Sequence, residues 1–515
     1  MRKLSDLDYL RLHGLRKFGY NLGQFFCSIP GWFAHKFKNL WKKIKAFFIW
    51  IYKDIIDTFK IVVHGSWKTK VSCIIMGFGS IAYGQVVRGI LFFLFEAVFI
   101  AYMILTGGYW LSKFGTLGTV SGGNVIQEII VGGEKYETQV WVDGDNSFKI
   151  LLYGLLTIMF IIAFIYTWRL NIKQCGKCEK IIASGKKVKS GKDDMKSLLD
   201  DQFHKTLLAL PIGGIVMFTV LPIIFMILVA FTNYDSYYNG YSNLFTWVGL
   251  DNFNALFEFG EGSNKLSVAF GEILSWTLIW AFFATFTNYF LGMFVAIMIN
   301  KKGIKIKKFW RTVLVVTIAV PQFISLLYIS NMLAPNGIVN GILMNLGWID
   351  KAIPFWTDGT LAKVMIIIIN IWIGIPYLML IATGILMNIP QDLYESARID
   401  GANVWQQYTR ITLPYMLFVT GPYLLTSFIN NINNFNVIYL LTKGRPNMTF
   451  AVEGNTPGET DLLITWLFKM TAENAGTANY KLASVIGIMI FIVCAVLSLI
   501  VYNIMPSNKN EEDFS

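Results

Sequence analysis

Five asparagines lie within seven residues near the C-terminal end of the chain, and aromatic residues flank them. Neutral amides both donate and accept hydrogen bonds, and aromatic rings pack against apolar C–H faces. This combination suits an uncharged, hydroxyl-rich ligand such as a sugar. The residues are Asn430, Asn431, Asn433, Asn434 and Asn436, with Phe428, Phe435 and Tyr439 beside them.

The surroundings of these amides favour a cavity. The i, i+3 and i+4 spacings place Asn430, Asn433 and Asn434 on one face of a helix. Five amides facing lipid would be costly, so we expect at least two to line a cavity, and hydrogen bonding between helices is the alternative.

A second apolar segment supplies similar chemistry. Pro376 within it interrupts the helix, which makes backbone groups available to a ligand. Gln322, directly after Pro321, adds another amide. The polar and aromatic residues of this segment are Asn370, Trp372, Gly374 and Tyr377.

Motifs for bond chemistry are missing from the sequence. It has no G-x-x-x-x-G-K-[ST] loop, no G-x-S-x-G elbow and no H-E-x-x-H pair. Cys175 and Cys178 have the spacing of half a zinc site, but no second ligand pair lies nearby, so we expect a reduced, inert pair. The sequence therefore predicts no catalytic residue and no metal site, and any ATP chemistry would belong to another chain.

The composition indicates which elements position these residues. Of the 515 residues, 55% are apolar and only 15% charged, which excludes an ordinary soluble domain. The net charge of +12 reflects basic segments between apolar runs, so membrane orientation explains it better than nucleic acid. Eight candidate spans lie near 88 to 106, 150 to 168, 206 to 232, 273 to 299, 312 to 334, 361 to 388, 415 to 442 and 482 to 504.

The charge of the loops predicts the orientation of these spans. Lys and Arg number fourteen in residues 1–72, ten in 169–205 and six in 300–311, which places these segments in the cytoplasm. Residues 107–148 carry two basic and five acidic residues, and residues 233–272 carry one and five, which places both loops outside. Eight spans with both termini inside satisfy every loop.

The first span is the least regular. Glu96 lies inside it, and the apolar stretch before it, residues 71–84, is interrupted by Gly77, Gly79 and Gly84. A short re-entrant or interfacial helix is expected there.

Two flanking segments have distinct patterns. Residues 36–63 interleave Lys with Trp, Phe and Ile, which is typical of an amphipathic helix on an anionic inner leaflet, and a partner-docking helix is the alternative. Residues 113–148 mix paired glycines with short β-branched runs, which predicts a small extracytoplasmic β element.

The inner loop at 388–414 is too long and too structured for a plain connection. Pro390 can begin a short helix, Gly401 permits a tight turn, and Pro414 begins the next span. The sequence therefore predicts a helix-turn-helix projecting into the cytoplasm, with a plain amphipathic connector as the alternative.

The pattern E-[SA]-A-x3-G-x9-I-x-L-P in this loop closely resembles the coupling loop of ABC importer permeases. It departs only at Ser396, where the family usually has Ala. The resemblance implies that these helices sit in a groove of an ATPase subunit. The matching residues are Glu395, Ser396, Ala397, Gly401, Ile411, Leu413 and Pro414.

The resemblance extends from about residue 206 to the C-terminus and narrows to the maltose/maltodextrin permease family. Its motifs are FTNY (231–234), VGLDNF (248–253), AVPQFIS (319–325), NIWIGIPYLM (370–379), NNFNVIYLLTKGRP (433–446) and TDLLITWLF (460–468). By this resemblance Gln322, Asn370, Gly374, Tyr377, Asn431 and Asn434 match sugar-contacting positions, with Ile373 an apolar companion. Ile318 and Asn430 stand where the maltose-specific relative has aromatic residues, so Asn430 is a candidate contact that departs from the family.

Together these observations predict an all-α polytopic membrane protein with about eight transmembrane helices, the ABC importer permease fold and a small extracytoplasmic β-like loop. The predicted divisions are a basic amphipathic segment (1–72), two first spans with the outer loop 107–148 and a basic linker (73–205), the permease domain with its coupling loop 389–414 (206–505), and a cytoplasmic tail (506–515).

The function implied is that of one of two unlike membrane subunits of an ATP-driven maltose/maltodextrin importer in the bacterial plasma membrane. The partners would be a second permease, two ATPase subunits and an extracytoplasmic sugar-binding protein. The chain itself would need no cofactor, because the ATPases bind ATP and Mg. The alternatives are a permease for a galacto-oligosaccharide or trehalose, and an ATP-independent sugar facilitator, which would leave the 390–413 loop unexplained.

Overall fold

The structure is a computed structural model. It describes residues 14–131, 134–188, 190–191, 193, 196, 200, 203–240, 243–258, 265–301, 303–452, 455–473 and 475–504. The expectation of a cytoplasmic tail at 506–515 lies outside the described residues.

The N-terminal part of the chain is helical except for one hairpin. Its elements are α1 (Gly14–His64), α2 (Trp67–Ser72), α3 (Phe78–Ala82), α4 (Val86–Tyr102), α5 (Gly108–Phe114), β1 (Gly123–Val131), β2 (Glu134–Val142), α6 (Ser147–Ala183), α7 (Phe203–Ile215) and α8 (Leu221–Val229). Five-residue π-helical segments join α4 to α5 and α7 to α8.

The C-terminal part is helical in its regular elements. They are α9 (Asp251–Leu256), α10 (Lys265–Asn300), α11 (Lys307–Ala319), α12 (Gln322–Met332), α13 (Ile338–Asn345), α14 (Gly359–Leu386), α15 (Gln391–Ile399), α16 (Val404–Gln407), α17 (Leu413–Ile432), α18 (Phe435–Leu441), α19 (Leu463–Phe468) and α20 (Tyr480–Ile504).

Seven helical stretches of the described residues are long and apolar enough to cross a membrane, and a bent pair brings the number to eight. The pair is α11 and α12, which differ in direction by 87°. The apolar segment predicted as a span at 312–334 is therefore helical, but it is bent between these two helices. Pro321 follows Val320, whose ψ of 122° is extended, because a proline disfavours helical geometry in the residue before it.

The predicted span at 415–442 is also broken. Helix α17 ends at Ile432, and Asn433 leaves the helical geometry with φ −99° and ψ 22°. Helix α18 starts at Phe435, so Asn433 and Asn434 form a break inside the expected span. The prediction that Asn430, Asn433 and Asn434 share one helical face is wrong for this reason.

The chain divides into two compact units. The first unit comprises residues 1–112 and 153–216, and the second comprises 113–152 and 217–515.

In the first unit, polar groups on two long helices hold the segment between α1 and α4. The Asn171 Oδ1 of α6 accepts hydrogen bonds from Ser72 Oγ at 3.2 Å and Gly77 N at 3.0 Å. Glu96 on α4 is buried and accepts from Met76 N at 2.8 Å. The acidic residue inside the first span is thus bonded to the glycine-interrupted segment, which contains the short helices α2 and α3.

In the second unit, β1 and β2 pair antiparallel, from Gly123 opposite Val142 to Val131 opposite Glu134. The predicted β element is therefore present. Asp145 anchors its base by an ion pair with Lys113 and by accepting from Thr119 N at 2.9 Å.

The core of the second unit forms around α10, which packs against α14 and α17. Three clusters of buried apolar residues surround these helices, and Trp276 and Trp280 of α10 belong to one of them. Helix α10 thereby supports both segments that carry the predicted ligand-binding residues.

Candidate functional site

Helices α10 and α14 approach closely at Gly374. A Cβ atom at this position would lie 2.4 Å from Asn288 Nδ2, so only glycine fits here without a shift. Asn288 is buried, and its Nδ2 donates to the carbonyl of Ala284 at 2.9 Å. Its Oδ1 is buried without a hydrogen-bond partner among the described residues. An unused acceptor therefore lies beside one of the predicted sugar-contacting positions.

The break between α17 and α18 is held by a chain of hydrogen bonds. Asn431 Nδ2 donates to Thr285 Oγ1 of α10 at 3.0 Å, and Asn434 Nδ2 donates to Asn431 Oδ1 at 3.3 Å. Asn434 Oδ1 also caps α18 by accepting from Val437 N at 3.3 Å. Trp280 Nε1 donates to the Asn431 carbonyl at 3.0 Å.

These contacts bring two distant parts of the sequence together on α10. Thr285 and Asn288 lie three residues apart, so they share one face of that helix. Thr285 accepts a hydrogen bond from Asn431 of α17, and Asn288 lies against Gly374 of α14. We call Thr285, Asn288, Asn431 and Asn434 the amide cluster.

Sequence reasoning missed Thr285 and Asn288. The available signal was the presence of two polar residues inside an apolar span, since such residues mark pathways or helix contacts. The signal is weak because a lone threonine can bond its own helix backbone, as Thr287 does to Phe283 O.

The remaining predicted contacts have different surroundings. Asn370 is buried one helical turn before Gly374, Ile373 is half-buried, and Tyr377 is 51% exposed. Asn430 is exposed at the end of α17. Gln322 is exposed at the start of α12, and no hydrogen bond joins it to the amide cluster in the part of the chain that the structure describes.

The loop between α14 and α17 has the predicted helix-turn-helix form. Helix α15 follows Pro390 and ends at Ile399, two residues before Gly401, whose φ is +77°. Ala402 N donates to Ala397 O at 2.8 Å and Gly401 N donates to Arg398 O at 3.0 Å, which is the Schellman arrangement. Gly401 thus occupies the left-handed position that terminates α15.

The second helix of the loop begins with a capping box. Gln406 N donates to Asn403 Oδ1 at 2.8 Å, and Asn403 N donates to Gln406 Oε1 at 2.9 Å. Tyr394 OH and Thr412 Oγ1 lie 2.8 Å apart and tie the two halves together. These local bonds give the loop a defined shape.

The surface of this loop is apolar as well as charged. Ile399, Val404 and Trp405 are 87%, 82% and 70% exposed, and Glu395 and Ser396 are exposed beside them. Large exposed apolar side chains on a structured polar loop are typical of a protein contact surface. Ala397, Ile411 and Leu413 are half-buried, and Pro414 is exposed.

Comparison with known proteins identifies the family. Residues 288–508 match the model of the binding-protein-dependent transport system inner membrane component. The maltodextrin transport system permease protein MalC of Streptococcus pneumoniae is 33% identical over 84% of this chain and 95% of its own length. The chain belongs to the maltose/maltodextrin permease family of ABC importers. It is a multi-pass inner-membrane transport component with the ABC importer permease fold.

Two further relatives define the range of this family. The maltodextrin permease MdxF of Bacillus subtilis is 32% identical over 86% of this chain and 97% of its own length. The galactooligosaccharides permease GanP of Bacillus subtilis is 30% identical over 85% of this chain and 97% of its own length. The permease is therefore a subunit of an ABC sugar importer.

The cysteine pair of this permease lies on α6 in the first unit. Cys175 and Cys178 are buried, and Cys175 Sγ lies 3.6 Å from Ser72 Oγ. Cys178 Sγ lies 3.6 Å from Gln85 Oε1. Both thiols therefore lie among uncharged hydrogen-bonding groups of the 66–85 segment.

Proposed function

We propose that this permease is one of two unlike membrane subunits of an ATP-driven importer for maltodextrins. It transmits work from ATPase subunits and forms part of the sugar path, without bond chemistry of its own. The observation that carries the proposal is the pre-shaped loop at 389–414, whose exposed apolar residues lie on a framework of local hydrogen bonds.

The coupling role rests on the loop's shape. A flexible linker would bend instead of transmitting a movement of the ATPases to the spans. In contrast, the positions of α15 and α16 are fixed by the Gly401 turn, the capping box and the Tyr394–Thr412 contact. ATP-driven closure of the ATPases would push on these helices and rock the spans between inward- and outward-facing states. The exposed Glu395 and Trp405 would contact the ATPase groove.

The sugar path rests on the amide cluster. In the present conformation its amides bond one another, and Asn288 Oδ1 is unused. Sugar hydroxyls can replace the amides as hydrogen-bond partners at little net cost in free energy, because each hydrogen bond that breaks is replaced by another. Asn370, Gly374 and Tyr377 would form the α14 wall of the site, and Gln322, Ile373 and Asn430 would contribute at its margin.

The substrate class follows from the relatives' names. Two of the reported relatives are maltodextrin permeases, which favours an α-linked glucose oligomer. The similarity to the galactooligosaccharides permease supports a second candidate, a galacto-oligosaccharide.

The partners and orientation complete the proposal. A second permease, two ATPase subunits and an extracytoplasmic sugar-binding protein would assemble with this chain. Both termini and the 389–414 loop would face the cytoplasm, because loops rich in Lys and Arg favour that side of the membrane. ATP and Mg would bind only to the ATPases.

The experiment that tests the proposal measures ATP hydrolysis by the purified assembly in the presence of its binding protein and a panel of sugars. We expect maltodextrins to stimulate hydrolysis and galacto-oligosaccharides to leave it unchanged. Stimulation by galacto-oligosaccharides alone would replace the first substrate class by the second. Failure of the permease to co-purify with any ATPase would reject the coupling role.

A further inference from the structure

Helix α1 has one face that packs inside the first unit. Asp54 and Thr58 are buried there, and Asp54 pairs with Arg169 Nη1 of α6 at 2.8 Å and with Lys173. Ile51 is half-buried on the same face. The ion pairs fix the rotation of α1 about its axis, so the direction of its other faces is determined.

A second face of α1 is apolar and exposed between Trp41 and Val63. Its side chains are between 58% and 65% exposed, although all are aromatic or branched. They recur after seven, four, seven and four residues, which keeps them on one side of a helix. They are Trp41, Phe48, Tyr52, Phe59 and Val63.

Lysines lie beside this apolar face, and Lys45 lies on it, four residues after Trp41. Between Lys38 and His64 the chain has six lysines and two aspartates, and Asp54 is already paired with α6. Lys42, Lys53 and Lys60 fall on the side of the apolar face that lies away from α6, at spacings of eleven and seven residues. All three are exposed. The helix therefore has a docked face, an apolar face and a basic edge.

We propose that the apolar face of α1 lies in the headgroup region of an anionic phospholipid leaflet, with the lysine edge on the lipid phosphates. An amphipathic helix with aromatic residues on one side and lysines beside them binds in this way, because the rings enter the interface while the ammonium groups reach the phosphates. This surface is separate from the proposed coupling loop and amide cluster.

The dimensions favour a lipid surface over a protein partner. The first and last of the five apolar residues, Trp41 and Val63, are twenty-two residues apart, which is about 33 Å of helix at 1.5 Å per residue. They form a straight strip without a compact central group, whereas protein interfaces concentrate their binding in clustered anchors. The first span, α4, begins at Val86, only twenty-two residues after His64, so α1 is tethered beside a bilayer.

The experiment replaces single residues of the full chain by photoreactive p-benzoyl-phenylalanine and uses the complete assembly in nanodiscs. The discs contain phosphatidylcholine with phosphatidylglycerol. The labels are placed at Phe48 and at Phe59, two exposed aromatic positions where the change is conservative. The matched control is Ile51, which faces into the first unit.

After irradiation, we expect mass spectrometry to find phosphatidylglycerol adducts at Phe48 and Phe59 and none at Ile51. Combining Lys42→Gln, Lys53→Gln and Lys60→Gln should lower the share of phosphatidylglycerol among the adducts at least about five-fold, since each lysine near an anionic surface contributes a comparable factor. If the share of phosphatidylglycerol among the adducts is the same with and without these lysines, the lysines do not bind anionic lipid and that part of the proposal is wrong.

Two results would overturn the proposal. Crosslinks from Phe48 and Phe59 to another protein chain, visible as a mass shift on a gel, would make α1 a docking helix for that chain. Absence of any adduct at both positions, with crosslinking intact at Ile51, would mean that the face is in water. If either substitution blocks insertion, Tyr52 offers a third position on the same face.

Discussion

At the scale of single residues, Gly374 tests whether the α10–α14 contact is as close as the structure has it. Gly374→Ala should lower the thermal unfolding temperature of the purified permease, because the new methyl group would lie 2.4 Å from Asn288 Nδ2. Overpacking of this kind costs about 1 to 3 kcal/mol.

The matched control for this change is Gly384→Ala on the same helix, where a Cβ meets nothing within 4 Å. It should leave the unfolding temperature unchanged, and adding Asn288→Ala to Gly374→Ala should recover much of the loss. Equal unfolding temperatures for the two single variants would refute the close contact.

Asn434 has two separable roles. Its Oδ1 caps α18 and its Nδ2 bonds Asn431. Asn434→Ser keeps a capping oxygen and removes the amide, so sugar uptake should fall several-fold while the ATPase subunits still co-purify. Losing one neutral hydrogen bond costs about 0.5 to 1.5 kcal/mol.

Asn436→Ala is the control for the amide change, because Asn436 is exposed on α18 outside the amide cluster. It should transport normally. If Asn434→Ser also transports normally, or if it breaks the assembly, the amides only join helices and the proposed sugar site is wrong.

At the scale of elements, the coupling loop depends on one backbone conformation. Gly401 has φ +77°, and a Cβ added there would meet nothing within 4 Å, so substitution acts through backbone strain alone. A β-branched residue in the left-handed region costs roughly 1 to 2 kcal/mol. Gly401→Val should therefore weaken binding of the ATPase subunits and reduce ATP hydrolysis by the assembly.

Gly401→Asn serves as the control, since asparagine tolerates the left-handed conformation better than valine does. It should retain most of the binding measured by co-purification. A valine variant that binds and hydrolyses ATP as the wild type does would show that the turn is unimportant for coupling.

The hairpin β1–β2 depends on Asp145 in a pH-dependent manner. Burial alone would raise the pKa of Asp145, but hydrogen bonds from the Lys113 ammonium and from Thr119 N and Val120 N lower this pKa to about 2. The pKa of an aspartate in an unfolded chain is about 3.9. Its stabilisation is therefore complete above that value and is lost as the pH falls through 2.

Pepsin, which is active in acid, can measure this anchor. The hairpin should resist cleavage at pH 4 and be cut near pH 2, and Asp145→Asn should be cut at both. Identical cleavage of wild type and Asp145→Asn at pH 4 would contradict the anchor.

The sequence predicted elements wherever one local rule decided the outcome. Spans followed from apolar length, and the Gly401 turn followed from glycine at a helix end. The 87° bend at Pro321 was not predictable, because proline permits a break but packing around α12 and α18 sets its angle. The break at Asn433 was also not predictable, because apolar residues continue on both sides of it and the segment resembles one continuous span.

The candidate site was predicted in its chemistry and only partly in its geometry. The amides of α17 and Gly374 of α14 were identified from residue type and resemblance. Thr285 and Asn288 on α10 were not identified, because residues that form hydrogen bonds between helices do not recur at a regular spacing in the sequence. The role of Glu96 was also visible only in three dimensions, where its carboxylate accepts from Met76 N.

At the scale of the whole molecule, the permease combines two kinds of surface. Its apolar helices suit lipid, while the 389–414 loop presents exposed apolar residues on a polar framework. A facilitator would need only the first kind. We therefore propose that transport by this chain requires ATPases docked on that loop.

The most direct measurement of this claim is sugar uptake into proteoliposomes that contain the permease, its second permease and the ATPases, with ATP supplied on the side of the 389–414 loop. The external binding protein carries a labelled maltodextrin. We predict accumulation against a gradient that stops without ATP, without the ATPases, or when Gly401→Val is introduced. If the two permeases without ATPases take up as much sugar as the complete assembly, transport does not require the ATPases and the proposal is wrong.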